Sequence, residues 1–386
     1  MSQPFSLMDY SSLAAEAAAA TAGSLASFLA APKSAAKAAA ALSTFTNPEI
    51  STDEVFAAAQ QAVTAARGLQ KETFVPIFTT NSCDSECLMC GMRKSNSKLV
   101  RKFSSKRVIE EQLAILYEVD HVRGCGFLTG EFEGEYTRKA NAFLIGWAIR
   151  RALDMGFQMV YFNIGSLTPD EIEVLGDWLD VDDPVTMCVF QETYDRETYT
   201  KFMGRRDAHV PKSDFDQRIR SFDNWLDAGF HYVNPGFLVG LHSPEQDLVQ
   251  LISHIEHLSN RGAGVRISLP RLRPALGTTA KSMVADDQYI RLIALIALTF
   301  PESPIVLTTR ETQEFQDTVM PIVGIISPGS PDVSPYRRNT AAANDLATSQ
   351  FIIPDLRRPL DILSRIEGMG YHIQHFAPDQ GRRLDA

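Results

Sequence analysis

Cysteine is scarce in this chain, with five residues in 386. Three of the five fall within eight positions, so they do not form the disulfide framework of a secreted domain; bunched thiols point to a metal in a reducing compartment. Cationic side chains are in deficit, 37 Lys and Arg against 47 Asp and Glu, for a formal charge of −10. That balance argues against sequence-independent nucleic-acid binding, which needs clustered Lys and Arg. No run is apolar enough to span a membrane. The most apolar N-terminal stretch, "LAAEAAAATAGSLASFLAAP", is alanine rather than leucine and contains Glu16. It has no basic segment before it, and no arginine precedes Arg67, against a signal or transit peptide. A cytoplasmic enzyme is the expectation. Apolar residues at 45% and charged residues at 22% are ordinary for a globular protein with a substantial core.

Residues 1–73 read as an Ala-rich helical extension, broken by Pro32, Pro48 and the S-x-x-E capping box at Ser51–Glu54 into two or three helices. It reads as a cap, a dimer element or a loosely ordered appendage. Residues 74–386 form the main domain and a C-terminal tail. Short apolar runs there alternate with amphipathic helices: "FVPIFTT", "GCGFLTG", "MVYFNIG", "VTMCVF", "YVNPGFLVG", "VRISLP", "PIVLTT" and "PIVGIIS". In residues 244–260, Leu248, Leu251, Ile252, Ile255 and Leu258 share one face, with Ser243 as cap, Pro244 first and Gln246 completing a box. Thr168 and Glu171 make a similar start at "TPDE". Eight strand–helix units predict an α/β fold, a (β/α)8 TIM-type barrel, typically about 250 residues long. A doubly wound open sheet is the rival, but no G-x-G-x-x-G follows the first strand.

A barrel places its active residues where strands end. The strand ends here carry the cysteine loop, Glu131, Asn163, Gln191–Glu192, Arg271 and Arg273, Arg310 and Ser327. Cys83, Cys87 and Cys90 are spaced C-x3-C-x2-C. Structural zinc wants four protein ligands, and Cys125 and Cys188 lie on separate strands as ordinary buried thiols. A [4Fe–4S] cluster usually takes four cysteines; with three, one iron keeps an open position. The cluster is the favoured reading, zinc the alternative.

This spacing resembles that of the radical S-adenosylmethionine (SAM) enzymes. The resemblance implies that the open iron binds SAM, whose cleavage gives a 5'-deoxyadenosyl radical. "GFLTGE" resembles the Gly-Gly-Glu-type motif and would place Glu131 on the SAM ammonium. "FQETYDRETY" and "PKSDFDQR" resemble the aromatic amino acid lyase branch, in which Glu192 would hold the ribose and Arg218 the SAM carboxylate. "LPRLRP" and "LTTRE" belong to the same branch; Asn163 and Arg271 are further cofactor candidates.

Within that family, phrases such as "CDSECLMCGMRKSN", "DPVTMCVFQETYDRETYTKFMG" and "ISPGSPDVSPYR" most resemble the tryptophan lyases that make 3-methyl-2-indolic acid for thiopeptide antibiotics. The resemblance implies L-tryptophan as substrate, amine hydrogen abstraction, and carboxyl migration to indole C2. A tyrosine lyase releasing p-cresol and a glycine-derived imine is the rival, and an iron–sulfur electron carrier the non-enzymatic one. Arg310 would hold the substrate carboxylate, with Ser327 on the same wall. Phe78 stands where relatives commonly have tyrosine, removing a hydroxyl from the substrate site. No cysteine follows Cys188, so the second cluster of the hydrogenase-maturation relatives is not expected. The basic run "MRKSNSKLVRKFSSKR" beside the cysteines is a solvated loop or a dock for flavodoxin or ferredoxin.

Overall fold

Alternating apolar runs and amphipathic helices form a parallel sheet wrapped by helices. The structure, a computed structural model, describes residues 3–19, 25–32, 35–204, 211–282, 284–340 and 342–378. The strands are β1 (Gln70–Thr73), β2 (Val75–Phe78), β3 (Gly124–Leu128), β4 (Met159–Asn163), β5 (Val185–Phe190), β6 (Tyr232–Gly236), β7 (Gly264–Val265), β8 (Ile267–Ser268), β9 (Ile305–Thr308), β10 (Ile325–Ser327) and β11 (His372–Gln374). Their spatial order is β11-β1-β10-β9-β8-β6-β5-β4-β3-β2, with β7 beside β6. Every strand pairing is parallel.

The expected eight strands become an all-parallel TIM-type barrel, with one refinement. The two ends of the sheet meet in a single continuous segment, residues 70–78. Its first half pairs with β10 (Glu72↔Ile325) and its second with β3 (Ile77↔Phe127). The strands splay at this seam. At its lower end β11 pairs with β1, and Val122 bridges to Phe376; at its upper end Val333 bridges to Phe78.

Period-2 alternation divides the side chains between two cores. On β4, Val160 and Phe162 pack outward into the large layer beneath the helices, while Met159 and Tyr161 join Cys188, Val306 and Ile325 inside the barrel. The helix Pro244–Asn260 buries Leu248, Leu251, Ile252, Ile255 and Leu258 as its periodicity requires. Its expected capping box is not formed: Ser243 makes no side-chain cap, and its hydroxyl bonds the Glu245 carboxylate instead of leaving Gln246 to close a box. At Thr168 the Glu171 carboxylate does accept the backbone N–H, at 2.7 Å.

The N-terminal extension forms helices over Tyr10–Ala19, Leu25–Ala30, Ala35–Thr46 and Thr52–Arg67, more than the two or three expected. The last starts with the predicted Ser51–Glu54 box. This helix packs on Asp286–Thr299, and Ala35–Thr46 packs on Pro244–Asn260. Arg291 fixes the arrangement by donating to the carbonyls of Thr44, Asn47 and Ile50. Among the described residues, no helix is long and apolar enough to cross a membrane.

Candidate active site

The loop after β2 carries the three clustered cysteines to the mouth of the barrel, where two cavities abut. One, of about 920 Å³, is lined by Cys83, Cys87, Cys90, Glu131, Glu192 and Lys212, among others. The other, of about 770 Å³, runs into the barrel interior and is walled mainly by aromatic and aliphatic side chains. Phe78, Leu128, Asn163, Phe190, Arg310 and Phe351 line both.

Two polar side chains hold the cysteine loop in shape. Asn81 bridges the carbonyls of Val100 and Thr348, and its own Oδ1 accepts the Lys102 N–H at 2.7 Å. Arg101 donates to four carbonyls: Asn81 (2.7 Å), Met92 (2.8 Å), Arg93 (2.7 Å) and Lys94 (3.4 Å). That use of Arg101 corrects the picture of a freely solvated basic run, although Lys98 is exposed. Lys94 pairs with Asp84 and Glu133.

The loop lies hard against the end of β3. A side chain at Gly130 would meet the Ser82 carbonyl at 2.2 Å and Cys83 Cβ at 2.5 Å, so only glycine permits this approach. Gly165, at φ +95°, likewise leaves room for Glu131, whose Cγ would lie 2.2 Å from an added Cβ. The Cys83 sulfur accepts N–H groups from Ser85 and Glu131, each at 3.4 Å, and Gln350 donates to the Cys90 sulfur at 3.5 Å. Such donors stabilise thiolates and tune a cluster.

Burial, with Cys90 beside it, pushes the Cys83 thiol up to about 11, and burial pushes Cys87 well above its ordinary value. Ligation must therefore drive off thiol protons, which requires a strong cationic centre. Among the described residues, no three His, Cys, Asp or Glu side chains converge as a single-ion site. A cluster whose separate irons each take one thiolate does not need that convergence, and the residues present suit it.

Glu131 and Glu192 converge on the cations opposite the thiols. Arg218 Nη1 lies 2.6 Å from Glu131 Oε1, and Lys212 Nζ lies 2.5 Å from Glu192 Oε1. Glu192 follows β5 with φ +68°, an uncommon conformation for a residue with a side chain. Burial alone would raise its pKa, but Lys212 and then Arg218 pull it below the ordinary carboxylate value. Against their own desolvation, the carboxylates hold the pKa of both Lys212 and Arg218 above the usual value. Two carboxylates and two cations thus offer donors and acceptors suited to an amino-acid head group and a ribose. Nothing in the sequence singles out Lys212 within "PKSDFDQR", because a lysine in a loop carries no spacing signal.

The remaining candidates divide. Arg271 is corrected: its guanidinium is taken up by Glu311 and Asp286, and it lines neither cavity. Arg273 also reaches Glu311, at 2.6 Å, and does line the polar cavity. Because Glu311 absorbs both arginines, its neighbour Arg310 has no carboxylate at ion-pair distance among the described residues. The Arg310 guanidinium stacks on Phe351, 3.6 Å from the ring centroid, and donates to the Arg271 carbonyl at 3.3 Å. Ser327 lines the apolar cavity, Asn163 and Phe78 both cavities. Cys188 lines the apolar cavity and Cys125 lies in the core.

Residues 268–372 match the family model described as the Biotin and Thiamin Synthesis associated domain. The chain is 27% identical over 315 residues to 2-iminoacetate synthase of Salmonella typhimurium, covering 77% of this chain and 75% of the relative. The Escherichia coli 2-iminoacetate synthase matches at 27% over 310 residues, with the same coverage. Among solved structures, HydG, a maturase of the [FeFe]-hydrogenase, superposes with a TM-score of 0.81 at 23% identity, over 97% of this chain and 82% of that one. Methylornithine synthase (PylB) superposes with a TM-score of 0.68 at 15% identity, over 90% and 96%. These likenesses establish the barrel fold. At the mouth of that barrel stand three thiols, with a charged half-site of Glu131, Glu192, Lys212 and Arg218 facing them.

Proposed function

We propose that the chain cleaves a free aromatic amino acid, L-tyrosine first, giving p-cresol and 2-iminoacetate after hydrogen abstraction from the amine. The observation that carries this reading is Arg310. It lines the junction of the two cavities with no carboxylate partner among the described residues. Desolvation lowers its pKa to about 10, with Glu192 opposing the shift, so it stays protonated at neutral pH, and a half-buried cation on a cavity wall suits an anion. A substrate carboxylate on its planar fork would satisfy it. The side chain of that substrate then extends into the cavity of Phe74, Phe78, Tyr161 and Phe190, which suits an aromatic ring.

Cys83, Cys87 and Cys90 would hold a [4Fe–4S] cluster, which would supply the electron for cleavage of SAM to methionine and the hydrogen-abstracting 5'-deoxyadenosyl radical. Glu131, Glu192, Lys212 and Arg218 hold and orient SAM on the opposite wall. Asn163 lines both cavities and is placed to touch cofactor and substrate. Phe78, Leu128 and Phe190 exclude water between the two sites. Arg310 and Ser327 fix the substrate so that its amine, rather than a carbon, meets the radical. An external donor such as flavodoxin or ferredoxin completes the reaction by supplying electrons.

The two 2-iminoacetate synthases among the relatives favour tyrosine over the tryptophan reading drawn from phrase-level resemblance. L-Tryptophan, with carboxyl migration to give 3-methyl-2-indolic acid, is the second reading. An electron carrier would have no use for a charged half-site and an unpaired arginine beside an apolar chamber. The deciding assay is anaerobic: reconstituted enzyme, SAM and dithionite, with tyrosine and tryptophan in separate tubes and mass-spectrometric analysis. The expected product is p-cresol from tyrosine alone. 3-Methyl-2-indolic acid from tryptophan alone would replace this reading with the second. Arg310→Lys should keep the charge, lose the fork, and raise the substrate KM by about tenfold or more.

A further inference from the structure

The apolar cavity is not apolar throughout. Asn234 on β6 is 1% exposed and lines the cavity. Its Oδ1 accepts from Ser268 Oγ at 2.8 Å, while its Nδ2 has no partner among the described residues. Tyr161 on β4 is 2% exposed and lines the same cavity, its hydroxyl turned toward Arg266. A buried polar atom without a partner costs free energy unless something else fills the role. Strand geometry places these groups inside the barrel, whereas Arg310 follows the C-terminal end of β9. Tyr161 is fixed by stacking on Phe74, with ring centroids 3.9 Å apart. Ser268 holds the Asn234 amide with its nitrogen free.

We propose that Asn234 is a specificity-determining residue, whose Nδ2 donates to the phenol oxygen on the far edge of the substrate ring. This rests on the tyrosine reading above and adds the group that reads the ring. An apolar chamber alone discriminates weakly between tyrosine and phenylalanine. A buried donor left unsatisfied by phenylalanine rejects it strongly. An indole offers an N–H rather than an acceptor at its edge, so this amide orientation also disfavours tryptophan.

The test is equilibrium dialysis of radiolabelled L-tyrosine, L-phenylalanine and L-tryptophan against reconstituted enzyme with SAM, with turnover measured in parallel. Wild-type enzyme should bind tyrosine at least about tenfold more tightly than phenylalanine. Asn234→Leu should abolish that preference while leaving phenylalanine binding intact, which also reports a folded site. Asn234→Asp has the same shape, can keep the Ser268 bond and removes the donor, so it should also lose the preference if the leucine variant does not fold. A tyrosine preference that survives both substitutions would overturn the assignment while leaving the tyrosine reading standing. Tyrosine neither bound nor turned over by wild type would remove the parent reading, and this inference with it. Loss of tryptophan binding alone in Asn234→Leu would overturn the donor role, because the amide would then be accepting an indole N–H.

Discussion

Asp247 shows how much a single buried group can hold. Its Oδ1 accepts from Thr193 Oγ1 at 2.9 Å and from the Tyr194 N–H at 2.6 Å, the two residues that follow Glu192. Burial raises its pKa from 3.8 to about 7. Its Oδ2 has no partner among the described residues, as suits a protonated oxygen. The folded state therefore binds a proton that the unfolded chain gives up at lower pH. This contribution to stability is full below the unfolded value of 3.8 and is lost as pH rises through about 7. Asp247→Asn should flatten the dependence of Tm on pH between about pH 4 and about pH 8, read by thermal melts across that range. A wild-type Tm that rises over the window would contradict the assignment. At this scale the sequence exposed the residues with chemical signatures: three cysteines at a diagnostic spacing and charged residues at strand ends. It did not separate Arg310 from Arg271, because both follow strands. Glu311 decides, by pairing with Arg271 and Arg273 and leaving Arg310 without an ion-pair partner among the described residues.

Among the elements, the cysteine loop has the least regular structure and the most side-chain support. Arg101 substitutes for a helix or strand ladder by satisfying four carbonyls of the segment. The strap at residues 347–351 covers it, through Val100 N–H to the Ala347 carbonyl at 2.7 Å and Gly91 N–H to the Gln350 carbonyl at 3.1 Å. Arg101→Gln should leave the barrel folded but lower iron and sulfide per chain after reconstitution. The orphaned carbonyls cost about 1–3 kcal/mol each where they stay buried. Full cluster occupancy in this variant, measured by iron assay and visible absorbance, would show that the loop holds itself. Helices were easier to read than this loop. The Ser51–Glu54 box and the apolar face of Pro244–Asn260 follow local rules, whereas the contacts of Arg101 join atoms that sequence spacing cannot pair.

For the whole molecule, the question is how a parallel barrel closes and what the N-terminal helices do. Closure falls to residues 70–78, which change neighbours midway, with β11 pairing at the foot of the seam. The helices Ala35–Thr46 and Thr52–Arg67 cover two barrel helices and are clasped by Arg291. Arg291→Ala should release that clasp, cost roughly 1–3 kcal/mol, and speed proteolytic cutting within the first 50 residues before the barrel melts. Unchanged cutting would mean that apolar packing alone seats the extension.

The sequence by itself determined most of the secondary structure of the barrel and pointed to the cysteine loop and to Glu131, Glu192 and Arg218 at strand ends and a helix start around its mouth. Periodicity, capping and cysteine spacing are local properties, written in neighbouring residues. Tertiary structure decided the seam of the barrel, the roles of Lys212 and Arg101, the pairing that frees Arg310, and the buried amide of Asn234. Each of these depends on which distant carboxylates and carbonyls are near enough to satisfy a charge or a donor. That matching is set by packing across the barrel, not by distance along the chain.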